Sequence, residues 1–482
     1  MKQTRFLMRM LISVSIAFIA LAGCSNGSSS SSDKKASSWL FMMYLDGDNN
    51  LDPDIWKNLN QTEHSLYSIR NTDGTAKDGY ASVSVVALWD GAKNGDSVLY
   101  ELGAEATTNT AISPTTVNLS NTASWMSSGE VNMGNKDTLV NFITWAKSRY
   151  AATNVILLMS DHGGGPRSLE DSAKGGKSIC EDDTSGNSIL YTKDVSTALA
   201  TAGYSSSNKL NMLFTDACLL GSVESAYQIK DYADYYIASP QSIPGGGWDY
   251  EDLMPSFKST ATCVTVGNKI ITDYSTQYHN SDAAWKEEIT DSQARGSDIV
   301  TDDFAKIAYT QTWYMTSTLT FVDLSKMDAV KTAVDDLAAA IIDLEVTYND
   351  YLAYVETTDT IANSMFYDAA AHQYDIGYFA YKVYNDTNST DAIKAKATAV
   401  MTALNNAIIS SWRDAHDSIG SGNLYTYINS GSSETPFGLT ISTVCEYDKG
   451  ILAYPYYYNT DLAFGENSAW FTLLKEWYPG TK

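Results

Sequence analysis

The chain has 482 residues, with 57 acidic and 32 basic side chains, a formal net charge of −25 and 44% hydrophobic residues. A surface this acidic repels phosphate backbones and offers no basic patch to anionic lipid, which excludes nucleic-acid binding and electrostatic docking on a membrane. The length and composition fit a globular chain of one large domain or two to three ordinary ones.

The first segment is an address rather than a piece of the fold. Lys2, Arg5 and Arg9 precede the apolar run Leu11 to Ala20, and Leu21-Ala22-Gly23-Cys24 follows. A charged flank, a short apolar run and small residues before a cysteine resemble a bacterial lipoprotein signal. Residues 1–23 are therefore expected to be removed and Cys24 to carry the lipid that anchors the chain. Residues 24–38 are Ser-rich and read as a flexible tether. Ser25 gives no inner-membrane retention signal, so an extracytoplasmic place on the outer membrane or cell surface is expected. Cys180, Cys218, Cys263 and Cys445 are the cysteines left in a long chain. Four so spread do not make a disulfide scaffold.

The body opens with the apolar run Trp39 to Leu45, which ends in Asp46-Gly47-Asp48-Asn49-Asn50-Leu51, a turn into a helix. A second strand, Val83 to Trp89, ends in Asp90-Gly91. Thr138 to Tyr150 sets Leu139, Phe142, Ile143 and Ala146 on one helical face. The third strand, Asn154 to Met159, runs into Ser160-Asp161-His162-Gly163-Gly164-Gly165, and the fourth, Leu210 to Phe214, into Thr215-Asp216-Ala217-Cys218. A helix from Val223 to Tyr232 and a strand from Tyr235 to Ala238 follow. Near-continuous apolar strands separated by helices predict an α/β fold with a mostly parallel sheet covered on both faces. Its ligand belongs at the carboxyl ends of the strands, where His162 and Cys218 lie. Beyond residue 260 the pattern becomes mixed α/β. Helices are expected at Thr265 to Tyr278, Met327 to Glu345 and Asp391 to Trp412, with strands at Leu319 to Val322, Leu439 to Val444 and Ile451 to Tyr458.

The two loop motifs carry the chemistry. A thiolate attacks an amide carbonyl when a neighbouring imidazole takes its proton and later returns it to the leaving amine. Glycines beside that imidazole let backbone approach the substrate and let an N–H donate to the oxyanion. Asp-His-Gly-Gly-Gly at one strand end and Asp-Ala-Cys at another are the parts of a cysteine hydrolase.

In order and content, these segments resemble the clostripain family of cysteine peptidases, relatives of the caspases and gingipains. The resemblance runs through Trp39 to Leu51, Glu130-Val131-Asn132-Met133-Gly134 with Leu139 to Ala146, and Leu157 to Gly165. It continues through Phe214 to Glu224, Ser239 to Tyr250, Thr320 to Leu324 and Phe437 to Ser442. It implies a caspase-like three-layer sandwich at residues 39–260, followed by a mixed α/β region at 261–482. It further implies His162 and Cys218 as catalytic dyad, N–H groups of Gly163 and Cys218 as oxyanion hole, and Asp216 as the acid that receives a basic P1 side chain. Hydrolysis after Arg or Lys follows. A carboxylate facing a guanidinium makes a short, charge-assisted pair. The sequence departs from the family at Pro166, where an aromatic residue is common, and at Pro244 to Tyr250, where no acid lies among the glycines. Some relatives mature by internal cleavage, for which Arg167, Lys174 and Lys177 are candidates.

The chemistry needs no cofactor and no metal ligand is assigned, although calcium dependence occurs in the family and stays open. Asp46, Asp48, Asn50, Asp52 and Asp54 lack the glycine and closing glutamate of an EF-hand loop and read as a capped helix start. Glu181-Asp182-Asp183 reads as a solvated loop. A lipase or esterase would need a Gly-x-Ser-x-Gly elbow, and that pattern occurs only across the lipobox, at Gly23 to Gly27. His64, His279, His372 and His416 read as surface or packing residues, and Cys180, Cys263 and Cys445 as structural. The expected partners are peptide or protein substrates and the membrane through the lipid, with a monomer as default. The contrasting expectation is a surface lipoprotein that uses the same fold only to bind peptides or proteins.

Overall fold

The structure, a computed structural model, describes residues 34–107, 111–166, 179–279, 318–343, 351, 367–368, 373–413, 438–443 and 462–477. The leader with Cys24, the candidate cleavage residues Arg167, Lys174 and Lys177, the strand expected at 451–458, and Cys445, His372 and His416 lie outside the described residues. The described residues belong to one compact unit.

The apolar runs become strands whose alternate residues point to opposite faces. They are β1 (Lys35–Asp46), β2 (Val83–Asp90), β3 (Val98–Glu101), β4 (Val117–Asn118) and β5 (Tyr150–Ser160), then β6 (Ile179–Asp182), β7 (Ser188–Leu190), β8 (Leu210–Asp216) and β9 (Ala233–Ala238). Later strands are β10 (Thr318–Asp323), β11 (Tyr367–Asp368), β12 (Gln373–Asp375), β13 (Ile408–Arg413) and β14 (Thr440–Ser442). Nine of them form one sheet in the order β13-β10-β9-β8-β5-β1-β2-β3-β4. The five central strands, β9 to β2, are mutually parallel. Antiparallel strands extend both edges. The mostly parallel α/β core is as expected, and β10 and β13 from the later half of the chain complete the same sheet.

Both faces are covered. In β1, Leu40, Met42 and Tyr44 join one buried cluster, while Trp39, Phe41, Met43 and Leu45 join the other. The second cluster packs under α1 (Asp52–Ile69) and α5 (Cys263–His279). The first packs under α2 (Lys136–Arg149), α3 (Thr192–Thr201) and α4 (Val223–Ile229). It also holds helices of the later half, α6 (Met327–Asp343), α7 (Ile376–Asn385), α8 (Asp391–Ala407) and α9 (Ala469–Trp477). Each large side chain so buried contributes about 1.5–3 kcal/mol of transfer free energy. Among the described residues no helix is long and apolar enough to cross a membrane.

Two elements depart from the sequence reading. β1 starts at Lys35, four residues inside the expected tether, because Lys35, Ala36 and Ser37 register with Tyr150, Ala151 and Ala152 at the start of β5. The helix expected to Trp412 ends at Ala407, and Ile408–Arg413 is strand β13 instead. β-Branched Ile408 and Ile409 favour extended backbone, and the free edge of β10 supplies the hydrogen bonds.

Candidate active site

The parallel register fixes the site. Leu45 of β1 stands beside Ser160 of β5, and Ser160 beside Asp216 of β8. The next residues along are Asp161-His162-Gly163 on one strand and Ala217-Cys218 on its neighbour, so the two motifs emerge side by side. Gly163 lies against the other loop: a Cβ there would sit 2.1 Å from the Cys218 carbonyl oxygen and 2.6 Å from its nitrogen. Both obstacles are backbone and neither can swing aside. Gly163→Ala is therefore expected to destabilise the protein by about 1–3 kcal/mol, as overpacking does, read as a lower urea midpoint. An unchanged midpoint would mean that the two loops do not hold this contact.

Cys218 is half-buried, and its Sγ accepts a hydrogen bond from Ile243 N at 3.3 Å. The next residue, Leu219, has φ of +65°, a left-handed conformation that costs a branched side chain energy. The surrounding loop secures it: Leu219 N donates to Gln241 O (3.0 Å) and Gly221 N to Ser239 O (2.7 Å). β14 fastens the far side, with Thr440 N on Gly221 O (3.0 Å) and Ser442 N on the buried Glu224 Oε1 (2.7 Å). Burial pushes the Glu224 carboxyl up to about 7.

His162 is also half-buried, and its Nε2 is 2.9 Å from Asn50 Oδ1. With the proton on Nε2, that nitrogen donates to Asn50 and Nδ1 keeps its lone pair. Asn49 serves the residue before: its Nδ2 donates to Asp161 Oδ1 at 2.7 Å, and Glu181 N donates to Asp161 Oδ2 at 2.5 Å. Neither asparagine stood out in the sequence as a site residue. Only the pairing of β1 with β5 places the turn after β1 beside the turn after β5.

Asp216 is 5% exposed. Its Oδ2 accepts from the Tyr250 hydroxyl (2.7 Å) and Trp248 N (3.4 Å), while Oδ1 has no hydrogen-bond partner. Gly247 (φ +67°) lets the loop close on this acid, since a Cβ there would lie 2.3 Å from Oδ2. Burial pushes the Asp216 carboxyl up to about 6, against the lowering by the Tyr250 and Trp248 hydrogen bonds.

Four neighbouring strands thus end at or next to a buried aspartate: Asp90, Asp46, Asp161 and Asp216. Burial pushes Asp90 and Asp161 up to about 8, and raises Asp46 well above the carboxylate range with help from Asp161, Asp182 and Asp90. Asp182 corrects the sequence reading of a solvated loop, because it ends β6 fully buried and accepts from Met133 N at 2.7 Å. The helix start is corrected as well: Leu51 at the cap makes no side-chain hydrogen bond, and Asn49 Oδ1 takes up Leu51 N instead. Among the described residues, Asp48, Asp90 and Glu130 bring carboxylate oxygens within 4.8 Å of one another. Cys180 and Cys263 carry free thiols, as Cys218 does, and His64 pairs with Glu251 at 2.9 Å.

Comparison with known proteins identifies the family and the fold. The model of the clostripain family matches residues 43–477. Clostripain of Hathewaya histolytica is 30% identical over 228 residues, spanning 43% of this chain and only 39% of that protein. A secreted C11 cysteine protease from Bacteroides thetaiotaomicron, solved with an irreversible peptide inhibitor, superposes with a TM-score of 0.58 at 18% identity. That match covers 90% of this chain and 99% of the other. An inactive zymogen C11 protease from Parabacteroides distasonis gives 0.57 at 17% identity, over 91% and 98%. At these identities the structures establish the fold.

Proposed function

The chain belongs to the clostripain family, and from that premise we propose that it is a lipid-anchored, extracytoplasmic cysteine endopeptidase cleaving after Arg or Lys. The observation that carries the reading is the docking of the Gly163 backbone against Cys218 at the ends of adjacent parallel strands. That contact supports a reading in which the loops carrying His162 and Cys218 form one site.

In the proposed reaction His162 takes the Cys218 proton and the sulfur attacks the scissile carbonyl carbon. N–H groups of Gly163 and Cys218 receive the oxyanion. The intermediate collapses as His162 gives its proton to the leaving amine, leaving a thioester on Cys218. Water, deprotonated by His162, then attacks the thioester and releases the carboxylate product and the free thiol. The orphaned Oδ1 of Asp216 suits a guanidinium or ammonium entering beside the thiol, which is the basis for the Arg or Lys preference.

Hydrolysis of fluorogenic peptides ending in Arg, Lys, Asp or Leu tests this directly. Turnover of the Arg and Lys peptides alone is expected. Cleavage after Asp or Leu instead would overturn the specificity, and no cleavage by folded, processed protein would leave a binding module. The anchor rests on Leu21 to Cys24. Incorporation of a labelled fatty acid that is lost in Cys24→Ser is expected, and a soluble, unlabelled wild type would refute it.

Asn50 fits the place of an imidazole orienter, since a hydrogen bond to one ring nitrogen fixes which nitrogen faces the reaction. Asn50→Ala is expected to lower kcat by about 10- to 100-fold, less than the roughly 10²- to 10⁴-fold that general acid–base catalysis contributes as a whole. It should also move the pH–rate profile without a matching change in Tm. An unmoved profile with a fallen Tm would make Asn50 structural only.

A further inference from the structure

No step of the proposed reaction uses Glu224, six residues beyond Cys218 in the first turn of α4. Glu224 is fully buried, and among the described residues it forms no ion pair. Its Oε1 accepts from Ser442 N at 2.7 Å, while Oε2 is buried with no hydrogen-bond partner. A carboxyl group buried without a cation is costly, and burial favours its neutral form. Here burial pushes it up to about 7, close to half protonated at neutral pH. What the position supplies is therefore not a charge but the acceptor at Oε1.

That acceptor reaches a strand 218 residues away in sequence. β14 runs beside the chain that leaves Cys218. Thr440 bridges Ser222 in parallel register, and its N and Oγ1 both donate to Gly221 O, at 3.0 and 3.3 Å. β14 is itself secured from the later half, since Ser442 Oγ accepts from Gln373 Nε2 at 2.9 Å and Ser442 O from Trp470 Nε1 at 2.8 Å. The other flank of the turn is the 239–241 segment, whose Ser239 Oγ and Gln241 N meet Thr318 Oγ1 of β10 at 2.7 and 3.2 Å. Leu219, left-handed at φ +65°, thus sits in a turn gripped through β10 on one side and β14 on the other. A bulky residue keeps such a conformation only where its surroundings over-determine it.

We propose that Glu224 is a positioning residue for Cys218: by anchoring β14 through Ser442 N it holds the Leu219 turn, so that the later half of the chain sets the place of the nucleophile. Its effect on turnover rests on the peptidase reading, whereas the anchoring of the turn does not.

The test compares Glu224→Ala, Glu224→Asp and Glu224→Gln with wild type, as full chains in detergent, by turnover of an Arg peptide per folded chain. Glu224→Ala is expected to lower kcat by about 10- to 100-fold, as displacing a reacting group by an ångström does, with KM within about twofold of wild type. Glu224→Gln keeps an oxygen at the same reach, replaces only the unpartnered atom, and should retain about half of the wild-type kcat or more. Glu224→Asp keeps the charge but draws the oxygen back by one methylene, so it should fall with Glu224→Ala and decides the matter if that variant does not fold. In hydrogen exchange, the amides of 217–222 and 439–443 should open faster in Glu224→Ala than in wild type or Glu224→Gln, with those of β1 and β5 unchanged. A lower Tm with unchanged kcat per folded chain would make Glu224 structural only. Equal losses in Glu224→Gln and Glu224→Ala, or a loss carried by KM, would overturn the acceptor role. If folded wild type turns over no peptide, the peptidase reading fails, and exchange at 217–222 still decides the anchoring: faster in Glu224→Ala supports it, unchanged overturns it.

Discussion

Cys218→Ala is expected to lower kcat/KM on an Arg peptide by on the order of 10⁴- to 10⁶-fold, the scale seen when a nucleophile acting with its base is removed. The loss comes from chemistry and not from the fold. Cys218 is half-buried, and its sulfur meets the Ile243 backbone through a long N–H contact at 3.3 Å and the carbonyl oxygen at 3.8 Å. Deleting it costs no more than about 1 kcal/mol, the worth of an ordinary hydrogen bond, so the urea midpoint should hardly move. The neighbouring thiols serve as controls. Cys180 is fully buried, and burial with Asp46, Asp161 and Asp182 nearby pushes its thiol well up; burial pushes Cys263 to about 11. At neutral pH both stay protonated and poorly nucleophilic. Iodoacetamide should therefore alkylate the Cys218 peptide before those holding Cys180 or Cys263, with activity lost in step. Alkylation of Cys263 first, or turnover retained by Cys218→Ala, would reject Cys218 as nucleophile.

Much of this site can be read from the sequence because its parts end strands. A parallel strand buried on both faces is a continuous apolar run, so its end is visible where polar residues begin, as at Ser160-Asp161-His162 and Thr215-Asp216-Ala217-Cys218. Adjacent strands then bring the ends together without further information. Asn50, Asn49 and Tyr250 were not legible for the opposite reason. Each sits in a polar turn or loop, and its partner is set by strand order and not by local pattern. Asp182 was misread because an acidic triplet looks solvated, yet pairing of β6 with β7 turns it inward. The switch from α8 to β13 escaped periodicity because Ile408 and Ile409 fit a buried helix face as well as a strand. Only the exposed edge of β10 decides between them.

Asp216→Asn should lower kcat/KM for a P1 Arg peptide by about 10²- to 10³-fold, or roughly 2.7–4 kcal/mol, while changing a P1 Leu peptide little. Removing one member of a buried charge pair strands the other, which is why the cost exceeds that of a surface pair. Asparagine has nearly the same shape and keeps an oxygen for the Tyr250 hydroxyl, so the Gly247–Tyr250 loop should stay closed on it. The pH dependence gives a second handle. Burial holds the Asp216 carboxyl up at about 6, and only its ionised form attracts a guanidinium. The ratio of Arg to Leu turnover should therefore climb as pH rises through about 6, level off above it, and fall as acid protonates the pocket. Using the ratio cancels the titration of His162 and Cys218, which both substrates share. In Asp216→Asn the ratio should be low and flat across that range. Equal losses on Arg and Leu peptides would make Asp216 a structural carboxylate, and a ratio that still climbed in the variant would assign the basic-residue preference to a different acid.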